Sequence, residues 1–589
     1  RALRDLMLLL APFQITPTAA TKIYDHFGAR SVDILRDNPF ELCQVSGFGF
    51  KRVDAIMRKN NWPLNSPMRI RGAVFAALES AKGDGGHLYL EAEQLHKEAM
   101  SLLNSMIPVP QMRVKSDDLD AVIDDMLLQG KIINSNGNYY LVKAFAQEDE
   151  TARSIARLLC RPVERVDVQD LLTRVRRQLG VELSLRQTEA VHMVFRSDLS
   201  IITGSPGTGK TTVLKAVIEV FKLLKPSEKI LLAAPTGRAS RRMAESTGVD
   251  NASTLHSLLG LYGEDGGFRK GEEDMLDAGL IIVDESSMMD MWLARKFFSR
   301  IGPDTKVLLV GDADQLQSVG AGDVFRELIN CGLIPVTVLN EIFRQKKDSL
   351  IAYNAQKINN NDTSFFYGND FTVCKCANQE EAAEHIRNIY LAQVKQYGVD
   401  RVQILSPFRS TGAASADQLN EAIRELVNPQ TEEADLKVDN HYFRIGDKVM
   451  QNRNSGKASN GDIGFIRGFR HDERDGMRIA IQFSPTRVVE YSMEEMGHVE
   501  LAYATTVHKA QGSEFDVVIF PLLRSHARML TRSLVYTAIT RAKAKVILVG
   551  QIGMLYMAVH KDDTGKRNTQ LGRRIALYVN TFKVQKRSA

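Results

Sequence analysis

Eight residues, Gly204-Ser205-Pro206-Gly207-Thr208-Gly209-Lys210-Thr211, constrain the fold more than any other part of the chain. They match G-x-x-x-x-G-K-[ST], follow a predicted strand at Ile201-Ile202 and open a predicted helix, a context that a chance glycine-rich turn would lack. Backbone N–H groups of such a loop cradle phosphates, Lys210 would neutralise charge on β- and γ-oxygens, and the Thr211 hydroxyl would ligate Mg²⁺. Residues Gly204 to Thr211, with Thr212 beside them, are therefore read as cofactor-binding. The loop needs a buried parallel strand beneath it, so an α/β domain is expected, with its site at the carboxyl ends of the strands.

Further short apolar runs, each ended by a Gly, Pro, Asp or Ser cluster, continue from about residue 180: Ile230 to Leu232, Leu280 to Val283, Val307 to Val310, Val402 to Leu405, Val517 to Phe520 and Val546 to Val549. They are too many, over too long a span, for one nucleotide-binding sheet, and two tandem α/β domains are inferred. Asp284-Glu285 ends one of these runs about seventy residues beyond the phosphate loop. There Asp284 would hold Mg²⁺ and Glu285 would activate the attacking water, because water is a poor nucleophile until oriented and partly deprotonated. A third run ends in Gly311-Asp312-Ala313-Asp314-Gln315-Leu316, where Gln315 can sense a γ-phosphate.

At 589 residues the chain exceeds what one hydrophobic core supports, and three or more domains are expected. The apolar and charged fractions, 44% and 25%, are those of a globular protein, and no uncharged apolar stretch is long enough to span a bilayer. Five cysteines cannot staple so long a chain, which points to a reducing, cytoplasmic setting. Cys374 and Cys376 lack a second ligand pair at zinc spacing and are read as ordinary strand residues. A net charge of +5 permits polyanion binding without requiring it. The chain begins at Arg1 without a basic-then-apolar leader, and what precedes it is open.

Residues 1–65 are helix-rich, with short Gly or Pro turns that fit two helix-turn-helix units. The second unit turns at Ser46-Gly47-Phe48-Gly49 and resembles a helix-hairpin-helix, in which glycines let a phosphate approach backbone N–H groups; a plain interhelical turn reads equally from the residues. Residues 66–150 combine an amphipathic Leu119 to Leu128 with two β-like segments flanking Asn136-Gly137, a type I′ turn signal, and suggest a winged-helix-like module for DNA or protein.

The ordered set of Ala234-Pro235-Thr236-Gly237-Arg238, Asp284 to Met288, Gly311 to Leu316, Glu341-Ile342-Phe343-Arg344-Gln345, Ala502 to Phe515 and Val535 to Arg541 resembles superfamily 1 helicases of the RecD/TraA type. The resemblance covers about residues 180–550, and the N-terminal modules look like those of the long members. It implies an α/β multidomain fold: two RecA-like domains at 151–335 and at 336–434 with 498–589, an inserted SH3-like barrel at 435–497, and a mainly helical N-terminal region. A pin is implied within about 258–276, where Tyr262 to Lys270 also reads as a loop.

The resemblance further implies roles by position. Gln187 would read adenine; Lys210, Glu285 and Gln315 would act on the phosphates together with Arg344 and Arg541, two arginines supplied by the second domain. Gly512 and Glu514 would face the nucleotide, and Pro235, Thr236, His256, Thr505, Thr506 and His508 would contact DNA through its phosphates. The loop Asn452 to Asn460 lacks the aromatic and acidic residues common there in the family.

The implied activity is ATP-dependent, Mg²⁺-assisted translocation, 5′ to 3′, by a monomeric motor on single strands and single-strand/duplex junctions, with no membrane partner. A translocase that does not unwind alone and a nucleotide-switched DNA-binding module are the alternatives; the set Glu285, Arg344 and Arg541 argues against the second. No nuclease cluster falls outside the motor, while pathway, protein partners and the choice between DNA and RNA stay open.

Overall fold

The computed structural model describes residues 2–588 apart from 12–14, 46, 164–165, 250, 263–266, 269–273, 342–348, 432–434, 440, 473–475 and 564–566. Its first large sheet has six parallel strands, ordered Val336–Leu339, Leu199–Gly204, Lys306–Gly311, Leu280–Val283, Ile230–Ala234, Ala252–Thr254. All residues of Leu199–Gly204 and Leu280–Val283 are buried, which explains why these strands read as continuous apolar runs rather than alternating ones. The order carries a consequence for chemistry. The strands that end in the phosphate loop, in Asp312 and in Asp284 are immediate neighbours, so their three loops emerge side by side.

The second sheet has five parallel strands, ordered Phe371–Lys375, Ala542–Gly550, Phe515–Leu522, Val402–Ser406, Ala504–Thr506. Between its Val402–Ser406 and Ala504–Thr506 strands the chain makes a five-stranded antiparallel unit of Lys448–Gln451, Ile463–Asp472, Gly476–Ser484, Arg487–Ser492 and Val499–Leu501. This unit has its own small core, with Phe443, Ile466, Ile481 and Tyr491 in it. It is rooted in the second sheet by Lys448, whose ammonium donates to Val399 O, Val402 O and Gln403 Oε1 at 2.9, 3.0 and 3.1 Å.

Helices Ala2–Leu10, Pro17–Phe27, Ser31–Asp37, Phe50–Lys59 and Pro67–Gly85 form the N-terminal region. Its key polar tie is buried: Arg69, 1% exposed, donates to both carboxylate oxygens of Asp54 at 2.5 and 3.2 Å and to Leu103 O at 2.8 Å. A three-stranded sheet follows, ordered Tyr89–Glu91, Asn138–Leu141, Ile132–Ser135. Asn136 and Gly137 make its hairpin turn at φ of 55° and 82°, the left-handed pair a type I′ turn demands.

One expected grouping differs in the structure. The C-terminal helix Leu571–Ser588 was grouped by sequence with the second α/β domain (336–434 and 498–589), but Leu571, Ile575 and Val579 bury themselves in the core shared by the N-terminal region and the first sheet. Its Arg574 donates to the fully buried Glu148 at 3.1 Å, so both its apolar face and its charge find partners there. Of the expected pin, Leu261–Tyr262 and Gly267–Phe268 pair antiparallel, and residues 263–266 and 269–273 lie outside the described residues.

Candidate functional site

Sterics shape the phosphate loop. Gly207 and Gly209 hold φ of 88° and 82°, which side chains other than glycine rarely adopt, and a Cβ on Gly204 would stand 2.5 Å from Leu339 O. Thr208 Oγ1 donates to Ser205 O at 2.8 Å, and Lys210 Nζ donates to Gly204 O and, at 3.3 Å, to Ser205 O. Gln187 lies against this loop: its amide nitrogen donates to Thr208 O at 3.3 Å, while its amide oxygen accepts from the Ser184 N–H at 3.0 Å. The side chain thus joins the preceding helix to the loop.

A cleft of 400 Å³ opens above the loop, and both sheets wall it. Pro206, Gly207, Gly209, Lys210, Thr211, Thr212, Asp284, Glu285 and Gln315 come from the first; Glu514 and Arg541 come from the second. Sequence reading placed all of these at a nucleotide. Gly512 lies elsewhere: at φ of 71°, a Cβ on it would meet Thr236 Oγ1 at 2.7 Å, so it is a close-approach point between the two domains. Arg344 lies outside the described residues.

Glu285 adopts φ of 51°, a left-handed conformation costing a non-glycine residue about 1–3 kcal/mol, the kind of strain that gathers at functional sites. Its backbone N–H donates to Asp284 Oδ1 at 2.8 Å. Burial and the neighbouring Glu285 charge push the Asp284 carboxyl above the usual carboxylate range, against the pull of Arg242 and Lys210. Asp284 and Glu285 thus set two adjacent carboxyls on the cleft floor. Around it stand three cations: Arg242 Nη2 is 3.4 Å from Glu285 Oε1 and its Nη1 2.6 Å from Glu514 Oε1, Arg541 Nη1 is 3.9 Å from Glu285 Oε1, and Lys543 Nζ is 3.4 Å from Glu514 Oε2. Burial alone would raise the Glu514 carboxyl, but Arg242, Arg541 and Lys543 outweigh it and hold it below the ordinary range.

The loop after Gly311 is tied to the second sheet. Gln315 Nε2 donates to Asp312 Oδ2 at 3.2 Å, the Tyr536 hydroxyl donates to the same oxygen at 2.8 Å, the Leu316 N–H donates to Thr537 Oγ1 at 2.8 Å, and Gln511 Nε2 donates to Leu316 O at 3.0 Å. Sequence reading missed Arg242 and Tyr536. Tyr536 lay inside a motif already noted, and Arg242 stands one helical turn beyond Arg238, on the same helix face.

A second cleft, of 1240 Å³, runs between the first sheet and the antiparallel unit. On one side stand Thr254, His256, Ser257 and Trp292, the His256 and Trp292 rings 6.0 Å apart; on the other stand Arg453 to Ser459, Arg487 and His498. Burial lowers the His256 pKa, which favours the neutral ring. The loop whose composition looked unpromising thus forms the wall facing His256. Thr236 and Pro235 are half-buried at the start of the Gly237–Thr247 helix, where Thr236 Oγ1 accepts from the Ala239 N–H at 3.3 Å. His508 does not join this cleft but lines a separate cavity of 230 Å³ with Ser318, Val319 and Arg567. Thr505 is buried, and Thr506 Oγ1 accepts from the Lys509 N–H at 3.4 Å.

Two parallel sheets that wall one phosphate-loop cleft, with Lys210, Asp284 and Glu285 from the first and Glu514 and Arg541 from the second, define a two-domain P-loop motor. Family models match in the same order: the ATP-dependent RecD2 DNA helicase HHH domain at residues 1–89, an AAA domain at 187–321, the ATP-dependent RecD-like DNA helicase SH3 domain at 419–483 and the UvrD-like helicase C-terminal domain at 501–549. The chain is 31% identical over 584 residues to the ATP-dependent RecD2 DNA helicase of Deinococcus radiodurans, covering 97% of this chain and 78% of that one, and it belongs to the RecD2 DNA helicase family. The RecBCD enzyme subunit RecD of Mycolicibacterium smegmatis is 28% identical over 419 residues, 64% of this chain and 72% of that one. Among solved structures, the Pif1 helicase from Candida albicans is 17% identical with a TM-score of 0.39, covering 68% of this chain and all of that one.

Proposed function

We propose that this chain is an ATP-dependent DNA helicase, a monomeric cytoplasmic motor that moves 5′ to 3′ along single-stranded DNA and opens the duplex at a junction. The observation that carries the reading is the meeting of Glu285 from the first sheet with Arg541 and Glu514 from the second in one cleft. Hydrolysis then depends on both domains being closed on the nucleotide, and a cycle of closure and release converts hydrolysis into steps.

In this reading Lys210 and Arg541 offset charge on the transferring phosphoryl oxygens, with Arg344 as a second arginine, and Glu285 orients the attacking water and takes its proton. Gln315 senses the γ-phosphate and Gln187 reads adenine. The Thr211 hydroxyl and the Asp284 carboxyl are the hard oxygen donors a divalent cation takes, and they line the same cleft and would hold it. Mg²⁺ there would neutralise phosphate charge during transfer. The 1240 Å³ cleft is the proposed path of the strand, with His256 on its first-domain side; Pro235, Thr236, Thr505, Thr506 and His508 are proposed as further phosphate contacts outside that cleft, His508 from its separate cavity. Hydroxyls, N–H groups and arginines of this kind bind phosphates without reading bases.

Strand displacement with ATP on duplexes carrying a single-stranded tail on the 5′ or the 3′ side tests the proposal. Unwinding from the 5′ tail alone is expected. ATP hydrolysis stimulated by single strands without any unwinding would make the chain a translocase, and unwinding from the 3′ tail would reverse the polarity.

A further inference from the structure

The Gly237–Thr247 helix carries Arg238, Arg241 and Arg242 at spacings of three and four, which places them on one face. That face looks across the domain boundary. Arg238 donates to Glu514 O at 2.8 Å and its guanidinium lies 4.6 Å from the centre of the Phe515 ring; Arg241 pairs at 2.5 Å with Asp462 of the antiparallel unit, a carboxylate without solvent exposure. Arg242 points into the nucleotide cleft, where it contacts Glu285 of its own domain and Glu514 of the other. The helix follows the Ile230–Ala234 strand, which is hydrogen-bonded to Leu280–Val283, so Arg242 and Glu285 lie on segments that follow neighbouring strands of one sheet.

Two carboxylates from opposing domains face one another across this cleft, and their repulsion favours opening. A guanidinium presents a planar fork of donors and can serve two carboxylates at once, whereas an ammonium is a point charge. Arg242 and Arg541 both address Oε1 of Glu285, one from each domain.

We propose that Arg242 is a positioning residue for hydrolysis: by bridging Glu285 and Glu514 it sets the orientation of the water-activating carboxylate and makes that orientation depend on the second domain being in place. The inference rests on the motor reading above and adds to it a cation from the first domain that acts through Glu285 rather than on the phosphates.

The test is steady-state ATP hydrolysis by the full chain, with and without a single-stranded oligonucleotide, for wild type, Glu285→Gln, Arg242→Ala, Arg242→Lys, Glu514→Gln and the Arg242→Ala/Glu514→Gln double variant. The expected result is a DNA-stimulated kcat about 10- to 100-fold lower in Arg242→Ala, within the range a misaligned general base gives, with KM for ATP changed less than about threefold. Arg242→Lys should recover part of the loss. The double variant should be no slower than Arg242→Ala, since both changes break one bridge. Thermal unfolding of each variant separates misfolding from this effect, and Arg242→Lys keeps the question open to measurement should Arg242→Ala not fold. A kcat for Arg242→Ala within twofold of wild type, or losses in the double variant that multiply, would overturn the inference while leaving the motor reading intact. A wild-type chain that shows no DNA-stimulated hydrolysis would remove both.

Discussion

The Tyr536 hydroxyl, on the second sheet's side of the cleft, donates a 2.8 Å hydrogen bond to Asp312 Oδ2, the same carboxylate oxygen that accepts from Gln315 of the first domain. Tyr536 is fully buried, and burial with the adjacent Asp312 charge raises its pKa well above the ordinary phenol range, so it stays a donor at every physiological pH. The bond therefore ties the position of one domain to Asp312 and, through it, to Gln315, the proposed γ-phosphate sensor of the other.

Tyr536→Phe removes that donor and little else. A hydrogen bond to a charged group is worth about 1.5–3 kcal/mol, and an acceptor left short of partners loses its fixed orientation. DNA-stimulated kcat should fall about tenfold with nucleotide affinity nearly unchanged, read by steady-state kinetics beside equilibrium binding of a fluorescent ATP analogue. Equal loss of kcat and affinity would mean that the tyrosine only packs.

Glu285→Gln keeps the size of the side chain and removes its basicity. Multiple-turnover hydrolysis should drop by more than about 100-fold while ATP still binds, and unwinding should stop with it. Residual hydrolysis near the wild-type rate would assign water activation to another group.

Much of this site was legible because its chemistry depends on local patterns. Gly204 to Thr211, Asp284-Glu285 and Gln315 each sit at the end of a buried apolar run, and sheet order then makes their loops adjacent. Arg242 was not legible, because an arginine on a polar helix face reads as solvated until the opposing Glu514 is known. The C-terminal helix was misgrouped for a related reason: its Leu571, Ile575 and Val579 periodicity announces a buried face without naming the core that receives it. His256 and His508 fall in different cavities, which motif order alone could not reveal.

Acid should destabilise the second domain through His526. This side chain is fully buried with its ring 5.2 Å from that of Phe408, and burial lowers its pKa to about 4 from an ordinary value of 6.5. Between those values the unfolded chain binds a proton that the folded one does not, so stability is complete above about pH 6.5, falls as pH drops toward 4, and is flat below, a loss of about 3 kcal/mol from this group. Denaturant unfolding of wild type and His526→Phe at pH 7 and pH 4.5 measures it. The variant should lose less stability between the two pH values than wild type; an identical loss would exclude the histidine.

Asp54→Ala should damage the N-terminal region more than Arg69→Met. Breaking a buried pair by removing one partner costs about 3–5 kcal/mol when a charge is stranded, whereas in Arg69→Met the Met fills much of the arginine's volume and Asp54 keeps Arg58, whose Nε lies 3.0 Å from its Oδ2. Removing Asp54 strands the guanidinium of Arg69 among apolar neighbours, although Leu64 O and Leu103 O still accept from it. Hydrogen exchange over residues 50–105, with ATP hydrolysis as the control for the motor, would show the order of the two variants; equal protection in both would mean the pair contributes little.

The path of the strand is open to a direct electrostatic test. If single-stranded DNA lies in the 1240 Å³ cleft, Arg453 of the antiparallel unit faces it opposite His256, and each phosphate contact releases about 0.7 of a counterion from a single strand. Arg453→Ala should then weaken binding about equally for all sequences and lower the slope of log affinity against log salt by roughly 0.7. His256→Ala should weaken binding with a smaller change in slope, since its ring is held neutral by burial and brings no charge to the phosphates. Fluorescence anisotropy of a labelled oligonucleotide between low and moderate salt gives both numbers. An unchanged slope and affinity in Arg453→Ala would move the strand out of this cleft and toward the cavity that His508 lines with Ser318 and Arg567.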